Sequence, residues 1–169
     1  MSEAAGWYEI VSRTDPAYTA ATFGLARCRL VAGERAGALA AYDRVPDSSS
    51  AYVEAQTARI RCLAESNGAP GATADDLLVA GSILQTLPIT GEQRVRLQAD
   101  VLESALALVQ RGGAFDDGRA SLLGYRFAER DLRFAVERSY RELARWAPSS
   151  AERIELVDHA NEVRPRTWT

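Results

Sequence analysis

The sequence predicts an all-α fold, a right-handed solenoid of about eight helices, and three observations carry that prediction. Short patterns recur at an offset of 34 residues: Ala4, Tyr8 and Val11 are matched by Ala38, Tyr42 and Val45, and Arg27-Cys28 by Arg61-Cys62. Further along, apolar residues return at three- and four-residue spacings, which line one face of a helix. No stretch shows the sustained alternation that would mark a strand.

A period of 34 residues is that of the tetratricopeptide repeat, a pair of antiparallel helices A and B that meet at small or apolar positions. With Thr19 as the first position of a repeat, Leu25 and Ala26 fill the helix-A contacts, and Ala38, Tyr42 and Val45 those of helix B. Residues 1–16 then read as a half repeat, helix B alone, which implies a helix A upstream. Residues 19–50 form a repeat whose first helix ends at Gly33-Glu34, and Asn67-Gly68 falls at the equivalent place. Residues 51–88 form the next repeat, with helices expected over 51–66 and 75–87 and an eight-residue insertion, "APGATADD", before the second. In that second helix Ala80, Leu84 and Leu87 repeat the Ala38, Tyr42, Val45 spacing, and Thr73 and Asp76 are spaced as a capping box.

Pro88 and Gly91 break the chain, and residues 92–148 read as a divergent repeat. Its first helix, over 92–111, aligns Leu97, Val101, Ala105 and Leu108; its second, over 126–147, aligns Leu132, Val136, Tyr140 and Leu143. Between them residues 112–124, "GGAFDDGRASLLG", are expected to be loop. Residues 149–164 complete the domain as a capping helix, opened by Ser149 and Glu152 and stopped before Pro165.

Composition narrows the chemistry. With 169 residues, 47% hydrophobic and 25% charged, the chain is long enough for one domain with a buried core. Its net charge of -3 and pI near 5.3 disfavour nucleic acid as a partner. The longest apolar run, "LLVAGSIL", is too short to span a bilayer, and the opening "MSEAAG" lacks the basic and apolar regions of a secretion signal; a cytoplasmic location is expected. All 20 basic residues are arginine, so no lysine is present to serve as a phosphate-loop, kinase-strand or Schiff-base residue.

Candidate functional residues follow from the repeat register. Arg27 and Arg61 occupy the ninth repeat position, which faces the concave groove of such arrays, and together they suit a carboxylate or an acidic peptide. The alternative is that each pairs with an acid such as Glu54 or Glu65, or is simply solvated. Phe23 and Leu30 lie groove-side on the same register and would add apolar contacts, or else meet a neighbouring helix. Trp7 and Tyr8, on the half repeat, form a candidate association surface, with Trp146 and Trp168 as further exposed aromatics. Cys28 and Cys62 read as buried small hydrophobes, too far apart for a disulfide. His159 lies beside Asp158, but helix neighbours point about 100° apart, so the pair cannot form a catalytic dyad, and a cap or surface role is expected. Asp116 and Asp117 lack a third ligand and read as a solvated turn. The arginines of residues 126–145 alternate with acids, and Glu129 with Arg133 and Glu137 with Arg141 have the favourable four-residue spacing. No catalytic, cofactor-binding or metal-binding residue is expected.

Several phrases go beyond the generic repeat: "RTDPAY", "FGLAR", "LARWAP" and, above all, "LVDHANEVRP". Together they resemble the C-terminal tetratricopeptide domain of actinobacterial protein kinase G, a soluble serine/threonine kinase, over nearly the whole chain from Trp7 to Pro165. The resemblance implies a metal-binding rubredoxin-like module and a kinase domain upstream, repeats that support homodimerisation and substrate engagement, and a signalling role in nitrogen and carbon metabolism. The sequence itself carries no Gly-rich phosphate loop, His-Arg-Asp, Asp-Phe-Gly or Cys-x-x-Cys, so no kinase residue is carried over to any position. The expected function is therefore a non-catalytic interaction and dimerisation module of such a kinase, positioning partners or substrates. A free-standing adaptor for acidic peptide segments is the alternative; a small hydrolase built on Asp116, Asp117 or His159 lacks a converging triad.

Overall fold

A computed structural model describes residues 3–65, 71–113 and 121–165 of the protein. Asn67, Gly68, Asp116, Asp117 and Trp168 lie outside the described residues. The fold is all-α and tetratricopeptide-like, with eight α-helices among the described residues: α1 (Glu3–Thr14), α2 (Thr19–Val31), α3 (Arg35–Tyr42), α4 (Tyr52–Ala64), α5 (Ala74–Thr86), α6 (Gly91–Gln110), α7 (Glu129–Leu143) and α8 (Ser150–Val163). The chain divides into two compact units, residues 1–62 and 63–169, a division that falls inside the repeat expected over 51–88.

In the first unit, α1 packs on α2, and α2 on α3. The α2 to α3 turn is closed by Gly33, whose φ of +75° is a conformation that side-chain-bearing residues rarely adopt. It lets the Glu34 N–H donate to the Arg29 carbonyl at 2.8 Å and the Gly33 N–H to that of Leu30 at 3.0 Å, capping the end of α2. Leu25, Ala26, Ala38, Ala41, Tyr42, Val45 and Ala55 then close one core, all 5% exposed or less, so the repeat-contact positions are buried. Where α1 crosses α2 the approach is close: a Cβ on Gly24 would lie 2.7 Å from the Tyr8 ring. The same crossing is held by Glu9, whose carboxylate accepts from Arg13 (2.7 Å) in its own helix, Arg29 (3.1 Å) in α2 and Arg44 (3.0 Å) just beyond α3.

The second unit stacks α5, α6, α7 and α8 in sequence. Thr73 opens α5 with a full capping box, its hydroxyl accepting from the Asp76 N–H while the Asp76 carboxylate accepts from the Thr73 N–H. The stripes expected on α5, α6 and α7 are buried at Ala80, Leu84, Leu97, Val101, Ala105, Leu132 and Val136, each 1% exposed or less. The short ion pairs Glu129–Arg133 and Glu137–Arg141 form as spaced.

One element departs from expectation. Residues 112–124 were expected as loop and 126–147 as helix, but β1 (Ser121–Leu122) and β2 (Tyr125–Arg126) form a short antiparallel pair, and α7 begins only at Glu129. The turn at Leu123 (φ 53°) and Gly124 (φ 88°) has both central residues left-handed, the geometry that matches strand twist in a two-residue hairpin. What secures it is Leu122, 1% exposed, whose Cδ1 sits where a Cβ on Gly81 of α5 would be 2.7 Å away. His159 also differs from a simple cap: its Nε2 lies 2.7 Å from Glu103 Oε1 and its ring 4.2 Å from that of Tyr140, which ties α8 to α6 and α7. The Tyr140 hydroxyl is pushed well above its usual pKa, first by burial and then by the charge of Glu103 and the hydrogen bond to it.

The Glu9 carboxyl is held below its usual value of 4.5, chiefly by the Arg44 hydrogen bond and further by Arg29 and Arg13, against a smaller upward push from burial. A depressed folded pKa contributes stability that is fully present above 4.5 and disappears as the pH falls below it. Glu9→Gln is therefore expected to cost about 1–2 kcal/mol at neutral pH and progressively less in acid, read from urea-unfolding midpoints. A cost that stays the same from neutral to acidic pH would count against this network.

Candidate functional site

The repeat offset sets two helical stripes side by side. On α2, Ala20, Phe23 and Arg27 follow one another at three- and four-residue spacing; on α4, Glu54, Thr57 and Arg61 stand exactly one period of 34 residues later. Both stripes line a single cleft of about 520 Å³ within the first unit, and Tyr42 of α3 contributes to its wall. The structure thus brings together three of the four groove residues expected from sequence: Phe23, Arg27 and Arg61.

Leu30 stands apart from these three: it sits in the last turn of α2, beside the fold-back at Gly33, and packs half-buried against the core. Phe23 serves both sides, lining the cleft while its ring stands edge-on to Tyr42 at 5.8 Å. Glu54 and Thr57 are among the cleft residues that the sequence reading did not name as lining groups, although the offset that links Arg27 to Arg61 also links Ala20 to Glu54 and Phe23 to Thr57.

The electrostatics of the cleft are open. Arg27 and Arg61 are exposed, and among the described residues neither has an ion-pair or hydrogen-bond partner, even though Glu54 shares the cleft; the pairing with Glu54 or Glu65 considered above does not form. Arg27 does act on Tyr42, where its charge opposes the upward shift caused by burial and by the nearby Cys62. Thr57 is only 6% exposed, and its hydroxyl oxygen is buried without a partner. Cys28 is half-buried and Cys62 buried, and no disulfide joins them.

The other candidate surface is the outer face of α1. Trp7 is 63% exposed and Ile10 57%, with Val11 beside them at the helical spacing. Tyr8 is less available, because its ring covers Gly24 of α2. Trp146 also protrudes, with its ring edge 3.7 Å from where a Cβ on Gly91 would be. Among the described residues no helix is long and apolar enough to cross a membrane.

The sequence profile of the protein kinase G tetratricopeptide repeat family matches residues 1–167. The chain belongs to that family. It is 34% identical over 162 residues to the serine/threonine-protein kinase PknG of Mycobacterium leprae and 35% identical over 159 residues to that of Mycolicibacterium smegmatis. Each alignment takes in 94% of this chain and 20% of the relative, so the chain spans about a fifth of the length of these curated kinases.

Because Arg27 and Arg61 hold nothing in place, the double variant Arg27→Ala/Arg61→Ala is expected to change stability by no more than about 0.5 kcal/mol. Arg29→Ala, which leaves the partly buried Glu9 short of a partner, should cost about 1–2 kcal/mol. Urea unfolding of both variants checks the contrast, and equal losses would show that the cleft arginines are structural.

Proposed function

We infer that this chain is a non-catalytic interaction and dimerisation module, the tetratricopeptide domain of a serine/threonine kinase of the protein kinase G kind. The observation that carries the reading is the family match, which takes in nearly the whole chain and aligns it with one region of much longer kinases. The module positions protein partners or substrates by shape and charge complementarity on rigid helices, with no cofactor and no bond chemistry of its own. Its partners are proteins rather than nucleic acid, in keeping with the net charge of -3, and its setting is the cytoplasm.

Two surfaces support that role. The cleft bearing Phe23, Arg27 and Arg61 is shaped for an extended segment of another protein. The face of α1 bearing Trp7, Ile10 and Val11 offers exposed apolar side chains of the kind that two copies bury on association.

The kinase setting is tested by immunoblot of the native cells with antibody raised against this chain. A band several times larger than 18.4 kDa, with kinase activity in the immunoprecipitate, is expected. A band only at 18.4 kDa would replace this reading with a free-standing adaptor. For association, sedimentation velocity should find a dimer whose dissociation constant rises at least about tenfold in Trp7→Asp/Ile10→Asp, the loss of roughly 1.4 kcal/mol or more. An unchanged constant would remove the α1 face from the dimer contact.

A further inference from the structure

We propose that the outward face of α7 docks an acidic amphipathic helix of a partner protein. Carboxylates of that helix meet Arg130, Arg138 and Arg145, and an apolar side chain between the first two covers Phe134. The proposal rests on the reading of this chain as an interaction module and adds a surface and a partner chemistry that lie outside the cleft.

The amphipathic spacing of α7 decides which side chains are left outside. Leu132, Ala135, Val136, Ser139 and Leu143 are buried. At about 100° per residue the opposite face carries Arg130, Phe134, Arg138 and Arg141, and the turn after the helix extends it with Arg145. All five are exposed, Phe134 by 40%. Exposed arginines are ordinarily just solvated, but the pairing pattern here is selective. Arg133 beside the stripe and Arg141 within it are neutralised as their spacing allows, by Glu129 at 2.9 Å and Glu137 at 3.0 Å. Arg138 and Arg145 have Glu142 four and three residues away, yet among the described residues neither pairs with it or with another acid. Arg130 has no acidic partner there either; its guanidinium lies over the Phe134 ring, 5.9 Å from the centroid. Three open guanidiniums thus stand against the one unpaired carboxylate of Glu142, a positive stripe on a chain whose net charge is -3.

Spacing then selects the form of the acidic partner. Arg130, Arg138 and Arg145 follow one another at intervals of eight and seven residues, two helical turns each, and span about 22 Å. A helix with carboxylates at the same two-turn interval meets all three with one face, each through the forked N–H donors of a guanidinium. The exposed half of the Phe134 ring, with a cation already held over it, takes an apolar side chain of that helix. A single aromatic ring among arginines is too little apolar area for a membrane anchor, and the acidic balance of the whole chain opposes a nucleic acid. Protein carboxylates are therefore the anions that this face fits.

Fluorescence anisotropy of labelled synthetic peptides with the 169-residue chain, at low and high salt, tests this. The first probe is an acetylated, amidated alanine–glutamine helix with three glutamates at the Arg130, Arg138 and Arg145 intervals and a leucine midway between the first two. The second has the same composition with its glutamates spread around the helix, and the third is the first probe with a central proline. The first is expected to bind and to weaken as salt rises, and the other two to bind at least about fivefold more weakly. Arg138→Glu/Arg145→Glu should weaken the first probe by about tenfold or more and Phe134→Ala several-fold, with helicity by circular dichroism unchanged. Arg138→Gln/Arg145→Gln, gentler on the helix, should weaken it about threefold. Equal binding of the scrambled or proline-broken probe, unchanged affinity in the α7 variants, or no binding of any probe would each overturn the proposal. So would a loss just as large in Arg27→Glu, or tighter binding of duplex DNA or phosphatidylserine vesicles. Such a failure leaves the dimer and the kinase immunoprecipitate untouched. Loss of those two with the anisotropy result intact would instead remove the kinase module and keep the docking face.

Discussion

Close helix crossings at small residues are the constraint on which everything else in this chain depends. In the first unit Gly24 lies under the Tyr8 ring, and Ala26, Ala38, Ala41 and Ala55 are wholly buried where α2, α3 and α4 meet. In the second unit Ala80, Ala105, Ala135 and Ala160 are equally buried, and Gly81 admits Leu122 of the hairpin. Side chains this small let helix axes come close enough for the larger neighbours, such as Leu25, Ile60, Leu97 and Leu132, to fill the remaining space completely. An enlarged side chain at any of these crossings would push two helices apart, not merely crowd one residue. The same constraint fixes which faces are left over. On α2, Leu25 and Ala26 point into the core, so the stripe carrying Ala20, Phe23 and Arg27 is left to line a cleft, and α4 repeats the arrangement one period later.

That dependence explains why the helices were legible and some of their surroundings were not. Burial of one stripe per helix writes itself into the sequence as three- and four-residue spacing, and stacking of like units writes itself as the 34-residue offset. Both signals are local or strictly periodic. The β1–β2 pair is neither: each strand has two residues, too short to alternate, and its turn uses Leu123-Gly124 in place of the Asn-Gly or Asp-Gly that announces a hairpin. Its cause is tertiary, the seating of Leu122 on Gly81. The Glu9 network was half visible, since Arg13 stands four residues away, but Arg29 and Arg44 reach it only through the fold. His159 likewise meets Glu103 across 56 positions of sequence, and nothing near either residue signals the other.

The cleft was legible to the extent that it is periodic. Arg27 and Arg61 could be paired on paper because they share a repeat position, and the structure places both on one cleft. Thr57 could have been found the same way from Phe23, yet residue type hid it: a threonine at an aromatic's station reads as filler until its hydroxyl is seen to be buried and unmet. Leu30 shows the converse case. It continues the Phe23 stripe, but the chain turns back at Gly33 and the core takes it. Periodicity predicts which way a side chain points, whereas the end of the helix decides what it meets there.

Charge in this chain is carried on the positive side entirely by arginine, and its arginines fall into contrasting groups. Arg29 and Arg44 converge on Glu9, Arg59 pairs with Asp43, and Arg133 and Arg94 donate to backbone carbonyls of Val163 and Leu84. These bonds use the guanidinium fork to staple one element to another. Arg27 and Arg61 have the same fork and a carboxylate within the same cleft, yet do no stapling. Stapling accounts for the first group; the cleft pair, exposed and without partners among the described residues, leaves two guanidinium forks open to solvent.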